Sequence, residues 1–214
     1  MIAIFGAGDI AERGIVPIVG GMVVPKDRCD VRNYNAVFAQ MEDLHPTTVI
    51  FTAGVSHPDT IVGGGVRRWR EEVEVNLLGA YHVAKAAAGH GATLVLIASL
   101  AGLYGKPNHS GYSASKAGLI SLVQSLAMEG HAAYAISPGR VDTAMRERDY
   151  PGEDPRTRLD PITIGLLCKD ILDGRYSPGD NLVLRMRGHE VLPVEIHRGD
   201  GWRERLKVGE PVTW

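Results

Sequence analysis

The sequence predicts an α/β protein: a single doubly wound parallel sheet of about six to seven strands with helices on both faces. Three observations carry that expectation. Apolar runs of strand length alternate with longer stretches of helical length. Runs such as Thr93–Ala98 are apolar without alternation, as strands covered on both faces require. The chain also holds 26 glycines against 3 phenylalanines, which points to many tight backbone turns rather than an aromatic core.

The elements follow in order. Met1–Phe5 reads as a buried strand, closed by Gly6-Ala7-Gly8 and followed by a helical stretch from Asp9 to Val19. Met22–Val24 is a short second strand. Asn33–Leu44 places Val37, Met41 and Leu44 at i, i+4 and i+7, a helical stripe. Thr47–Thr52 is β-branched and aromatic, hence a strand. A long helix over Trp69–Ala88 leads to the strand Thr93–Ala98. Ser113–Met128 sets Leu119, Leu122, Val123 and Leu126 along one side of a helix, and Ala132–Ile136 is a strand closed by Ser137-Pro138-Gly139. The last elements are a helix over Asp160–Leu172, entered through Pro161, and a strand over Asn181–Met186. Between them Tyr150–Pro161, with three prolines and a run of charges, reads as a mobile loop or lid. Residues 1–188 are expected to form one nucleotide-binding and catalytic domain. Residues 189–214, with Trp202 and Trp214 isolated among charges, form an extension without an assigned role.

Composition narrows the function. Lys and Arg total 23 against 25 Asp and Glu, a net charge of −2, which argues against a nucleic-acid partner. Cys29 and Cys168 are too few for a disulfide framework and lack metal-ligand spacing, and the 8 histidines form no metal pattern, so no metal is expected. Two isolated thiols suit a reducing compartment, so the expected location is cytoplasmic. Met1–Phe5 is too short for a secretory signal, and no apolar window is long enough for a membrane helix.

Two local patterns bear chemistry. A strand, then Gly6-x-Gly8 with Asp9, Ile10 and Ala11, then a helix lets backbone amides approach a pyrophosphate. The same glycines also suit a plain tight turn, and Asp9 suits a helix cap. Tyr112 and Lys116 stand four residues apart on a helix and so share a face. A neighbouring ammonium lowers a phenol's pKa, which makes such a tyrosine a general acid or base for an oxygen centre. Ser99 ends an apolar strand, where side chains reach the ligand crevice of a parallel sheet. Taken alone, a tyrosine–lysine pair also occurs on solvated helices without function. His109, between Ser99 and Tyr112, reads as a solvated loop histidine.

The pair has company. Thr52-Ala53-Gly54, Val75-Asn76-Leu77-Leu78-Gly79, Ser99-Leu-Ala-Gly102, Tyr112-Ser-Ala-Ser-Lys116-Ala-Gly118 and Ser137-Pro138-Gly139-Arg-Val-Asp-Thr143 occur in that order. This series resembles the short-chain dehydrogenase/reductase family, from Met1 to about Gly188 and most densely from Phe51 to Thr143. The resemblance implies a Rossmann-type fold, an NAD or NADP cofactor, and Tyr112 as the catalytic acid/base. It implies that Lys116 lowers the phenol's pKa and binds the nicotinamide ribose, that Ser99 orients the substrate oxygen, and that Asn76 holds a relay water. For the cofactor it implies Gly6, Gly8, Asp9 and Ile10 at the turn, and Asp30 and Val31 at the adenine. Ala53 and Gly54 would lie along it, with Pro138, Gly139 and Thr143 at the nicotinamide. Self-association as a homodimer or homotetramer, through the helix of Asn76–Ala88 and the one after Tyr112, is implied as well.

Three departures stand out. The glycine turn is one residue shorter than the family's and ends in Ala11. Phe51-Thr52 stands where the family has two asparagines. Only Pro25–Cys29 separates the second strand from Asp30, where the family has a helix and a third strand. The adenosine side is therefore trimmed. Lys26, Asp27 and Arg28 leave NAD and NADP equally open.

The expected function is an NAD(P)-dependent oxidoreductase interconverting a carbonyl and an alcohol on a small substrate. The alternatives are a dinucleotide-binding sensor with little turnover, or a sugar-nucleotide reductase or epimerase of the extended branch. About 70 residues after Thr143 leave little room for the last one's substrate domain.

Overall fold

The computed structural model describes residues 1–199 and the strand backbone of 203–206; Trp202 and Trp214 lie outside the described residues. Six parallel strands form most of one eight-stranded sheet. They are β1 (Ile2–Phe5), β2 (Met22–Val24), β3 (Thr48–Phe51), β4 (Thr93–Ile97), β5 (Ala133–Pro138) and β6 (Asn181–Leu184). Their spatial order is β2-β1-β3-β4-β5-β6.

Alternate side chains along each strand enter opposite layers, and both layers are apolar. Ala3, Phe5, Val49, Phe51, Leu94 and Leu96 pack with α2 (Tyr34–Leu44), α4 (Gly79–Gly89) and α5 (Ser110–Met128). Ile4, Ile50, Val95, Ile97 and Ile136 pack on the other face against Ala11, Ile15 and α7 (Ile162–Leu172). That is why the strands read as unbroken apolar runs. Each fully buried Ile or Leu in these layers contributes roughly 1.5–3 kcal/mol.

The helices depart from expectation in two places. The stretch after the glycine turn is a wide π-helical segment, Ile10–Ile15, running into a single α-turn, α1 (Val16–Val19). It crosses α7 with Gly14 and Gly165 facing, and neither has room for a Cβ. The expected long helix is a rod of α3 (Val66–Val73), a π-turn (Glu74–Leu78) and α4. Gly65 is its N-cap, so it starts three residues earlier than the apolar pattern suggested.

Between β2 and α2 the chain makes two turns, Cys29 N–H to the Pro25 carbonyl and Asn33 N–H to the Asp30 carbonyl, each at 2.9 Å, and no further strand, so β2 is the sheet edge. After β6 comes a hairpin, β7 (Met186–Arg187) with β8 (Glu190–Val191). Then β9 (Val194–His197) returns antiparallel to β6, and β10 (Arg203–Leu206) pairs with β9. Val194-Glu-Ile-His alternates buried and half-buried residues, the period of a strand with one covered face. A small-residue 3₁₀ turn (Leu100–Gly102) and α6 (Ala144–Asp149) complete the described elements used below.

Candidate active site

The carboxyl ends of β3, β4 and β5 open into a cleft lined among others by Gly54, Ser99, Tyr112, Lys116, Pro138, Gly139 and Thr143. This is the place where parallel sheets hold ligands. The sheet and α5 therefore bring Ser99, Tyr112 and Lys116 of the residues expected from sequence to one cleft, while Asn76 lies outside its lining, in the π-turn of the helical rod.

Tyr112 lies in the first turn of α5 and Lys116 one turn on, both directed at the cleft. The Lys116 ammonium is buried, donates to the Ile97 carbonyl at 2.8 Å, and sits 5.6 Å from the centroid of the Tyr112 ring. Burial lowers its pKa to about 8. Burial also raises the Tyr112 phenol to about 12; a hydrogen bond with Ser99 opposes that, while Asp149, Glu72 and Tyr150 add to it. The expected lowering of the phenol is thus not what this chain shows. Desolvation is the largest influence on it and outweighs the hydrogen bond with Ser99.

Asn76 is fully buried in the π-turn. Its Oδ1 accepts from Val55 N–H at 2.8 Å, and its Nδ2 donates to the Val55 carbonyl at 2.9 Å and to Ser115 Oγ at 3.1 Å. The widened turn directs an asparagine side chain out of the helix toward a neighbouring loop, a use of π-bulges seen at functional sites. A Cβ on Gly54 would lie 3.4 Å from Asn76 Oδ1 and 3.7 Å from Lys116 Nζ, ordinary contact distances, so Gly54 stands beside both groups. Ser99 also caps the 3₁₀ turn, accepting from Ala101 N–H at 3.2 Å.

The glycine turn is built around β3. Gly6 takes φ 112° and Gly8 φ 137°, conformations that favour glycine. Gly6 packs on Ala53 with no space for a side chain, whereas nothing lies within 4 Å of the Cβ position of Gly8. Thr52, standing where the family has an asparagine, donates to the Gly6 carbonyl at 3.0 Å and so braces the turn. Asp9 does not cap its own helix. Its Oδ2 accepts from Ala144 N–H at 2.7 Å, tying the turn to the start of α6. Ile10 lines the cleft. Thr143 caps α6 through Arg146 N–H at 3.1 Å.

Asp30 and Val31 stand apart from the cleft lining, on the trimmed edge. Arg32 grips the Asp30 carboxylate with its backbone N–H and guanidinium and holds its pKa down at about 2. Val31 is buried against Gly79. Of the charges in the short segment, Arg28 is paired with Asp43 at 3.2 Å.

Sequence reasoning missed part of the site. His109 is not a solvated loop residue: it is 7% exposed, lines the cleft and stacks on Tyr150 at 5.7 Å with 4° between the rings. Its Nδ1 is 2.9 Å from the Pro107 carbonyl, which can only accept, so Nδ1 carries hydrogen. In the neutral ring Nε2 then accepts from the Tyr150 hydroxyl at 3.2 Å. The segment read as a mobile lid is fastened. Arg158, buried, reaches Glu147, Glu153 and Asp142, Arg146 pairs with Glu153, and Leu159 is fully buried. Both cysteines are free and buried. Among the described residues no His, Cys, Asp and Glu group could hold a metal, and no helix is long and apolar enough to cross a membrane.

Comparison with known proteins bears on the family and the fold. The chain is 32% identical over 131 residues to the 3-oxoacyl-(acyl-carrier-protein) reductase MabA of Mycobacterium avium, covering 55% of this chain and 51% of that protein. A solved 3-oxoacyl-(acyl-carrier protein) reductase from Brucella melitensis superposes with a TM-score of 0.71 at 20% identity, covering 88% of this chain and 91% of that one. ElxO with NADP bound superposes with a TM-score of 0.71 at 17% identity, covering 85% and 96%. The chain spans about half or less of the length of the first curated relatives it matches. The sequence model of the short chain dehydrogenase family matches residues 24–154, and the chain belongs to that family.

Proposed function

We propose that the protein is an NAD(P)-dependent oxidoreductase that interconverts a carbonyl and an alcohol on a small substrate. The observation that carries this reading is the convergence of Ser99, Tyr112 and Lys116 on one cleft, with Asn76 bonded beside them. When bound, a nicotinamide dinucleotide supplies the hydride taken up by the carbonyl carbon. The residues present fit such a group at the glycine turn, where Gly8 leaves an open cradle beside Ile10. Gly6, Gly8, Asp9 and Ile10 would hold its phosphates; Ala53, Gly54, Pro138, Gly139 and Thr143 would line its nicotinamide half. Lys116 would bind the ribose hydroxyls, and Asp30 and Val31 would flank the adenine. Both NAD and NADP suit the trimmed edge.

On this reading the Ser99 hydroxyl holds the substrate oxygen, and Tyr112 Oη gives that oxygen a proton in reduction or takes it in oxidation. Lys116, 5.6 Å from the Tyr112 ring centroid, favours the phenolate when charged. Asn76 orients a water toward the lysine, through which the phenol's proton is replaced. Leu78 and Tyr81, exposed on the helical rod, support self-association as a homodimer or homotetramer through this helix and α5. A cytoplasmic location accords with the two buried thiols.

The test is nicotinamide oxidation by the purified chain, with NADH and NADPH, over a panel of carbonyls that begins with 3-oxoacyl thioesters, after the MabA relative. Turnover on any member supports the reading. Tight calorimetric binding of cofactor without turnover would instead support a dinucleotide-binding sensor.

A further inference from the structure

Glu72 is a carboxylate enclosed by protein, 2% exposed, on α3 one helical turn before Asn76. Its Oε1 accepts from His57 N–H at 2.8 Å, and its Oε2 lies against Gly111, beside the Tyr112 amide, which favours the charged carboxyl. That amide is one of the donors left without a helical partner in the first turn of α5, whose N-cap residue His109 makes no side-chain capping bond. A carboxylate is favoured at that end by the helix dipole. Here it arrives from another helix. Gly111, just before Tyr112, explains how it fits: a Cβ there would collide with Glu72 Oε2 and with the Trp69 ring.

Given the oxidoreductase reading above, we propose that Glu72 is a positioning residue for Tyr112. It pins the first turn of α5 to the loop that continues from Ala53 and Gly54 and to the rod that carries Asn76, and Gly111 is a glycine in order to admit it. The carboxylate also bears on the phenol electrostatically. Tyr112 is faced by Asp149, Tyr150 and Glu72, which hold its proton on, and by Ser99, Lys116 and His109. Glu72 itself is faced by His57, which pairs with Glu71, and by His109. Removing the Glu72 charge therefore moves the phenol toward easier ionisation.

The experiment compares wild type with Glu72→Gln, Glu72→Ala, Gly111→Ala and the double variant Glu72→Ala/Gly111→Ala. Rates are read as kcat and its pH profile in the alcohol-oxidation direction, alongside amide exchange of the 110–116 segment. Glu72→Ala and Gly111→Ala are each expected to lower kcat roughly tenfold, within the range that small misplacements of a catalytic group produce. The double variant should lose less than the two single losses combined, because removing the carboxylate relieves part of the crowding at Gly111 and leaves only that with the Trp69 ring. Glu72→Gln, which keeps an acceptor without the charge, should recover most of kcat while its acid limb moves to lower pH. Additive losses, or wild-type kcat and pH profile in Glu72→Ala, would overturn the proposal. If the alanine variant does not fold, the Glu72→Gln profile decides: a lowered limb supports it and an unmoved limb overturns it. If wild type turns over no carbonyl, the oxidoreductase reading falls, and exchange then decides Glu72 separately: faster exchange at the start of α5 in Glu72→Ala supports pinning, and unchanged exchange contradicts it.

Discussion

The Lys116 ammonium donates to the carbonyl oxygen of Ile97 at 2.8 Å, from a buried position beside the cleft. One turn away the Tyr112 phenol is held near 12 while the lysine is lowered to about 8. The fold thus carries a buried cation that is readily discharged and a phenol that is hard to ionise. Both are costs to the folded chain under some conditions, and both are therefore measurable without any substrate.

The lysine predicts a rise of stability with pH. Unfolded, its pKa is near 10.5; folded, it is about 8, so between those values the unfolded chain binds the extra proton. Stability then increases with pH across that window, by up to about 3 kcal/mol at 1.36 kcal/mol per unit. Below about pH 8 the full penalty is present. Urea unfolding at pH 7 to 10.5 should show this increment in wild type minus Lys116→Met. Tyr112, Tyr176 and Cys168, all raised to about 12, act with the opposite sign toward higher pH and appear in both proteins.

Asn76→Ala should destabilise the chain by roughly 2–4 kcal/mol, since it strands both main-chain groups of Val55. Asn76→Asp should cost comparably: it keeps the acceptor for Val55 N–H but sets an acceptor against the Val55 carbonyl. Denaturant midpoints at unchanged m-value check both. A loss under about 0.5 kcal/mol, the level of an ordinary surface substitution, would contradict the bonding described.

The fastened 142–158 segment predicts an acid limit. Arg146, with Arg140, holds the Glu153 carboxyl down at about 2 from an ordinary 4.5. A lowered carboxylate contributes stability above about 4.5 and loses it as pH falls toward about 2. Glu153→Gln should therefore melt below wild type by roughly 2–4 °C or more at pH 7, the shift that about 1 kcal/mol gives a chain of this size. The gap should close on acidification through that window.

Much of this was legible in the sequence because it is local. The double-faced apolar runs announced the sheet, and four residues of helix placed Tyr112 with Lys116. The missing strand between β2 and Asp30 was visible as five residues of separation, and the structure makes β2 the edge accordingly. What escaped depends on distant partners. His109 is buried by Tyr150, 41 positions along the chain. Glu72 sits within the charged run Arg67–Glu74, which reads as a solvated face until α5 is laid over it. A glycine immediately before the tyrosine was the signal available for Glu72. For β9 the signal was the alternation in Val194-Glu-Ile-His, a short run between Pro193 and the polar stretch that begins at Arg198.

Proton transfer by Tyr112 is the claim on which the functional account rests. Removing only its hydroxyl, in Tyr112→Phe, leaves the ring, the helix and Lys116 in place. With the best carbonyl of the panel and saturating cofactor, kcat should fall at least about hundredfold, the scale of general acid–base catalysis, with the fold retained by circular dichroism. A Tyr112→Phe protein that turns over at the wild-type rate would contradict the account.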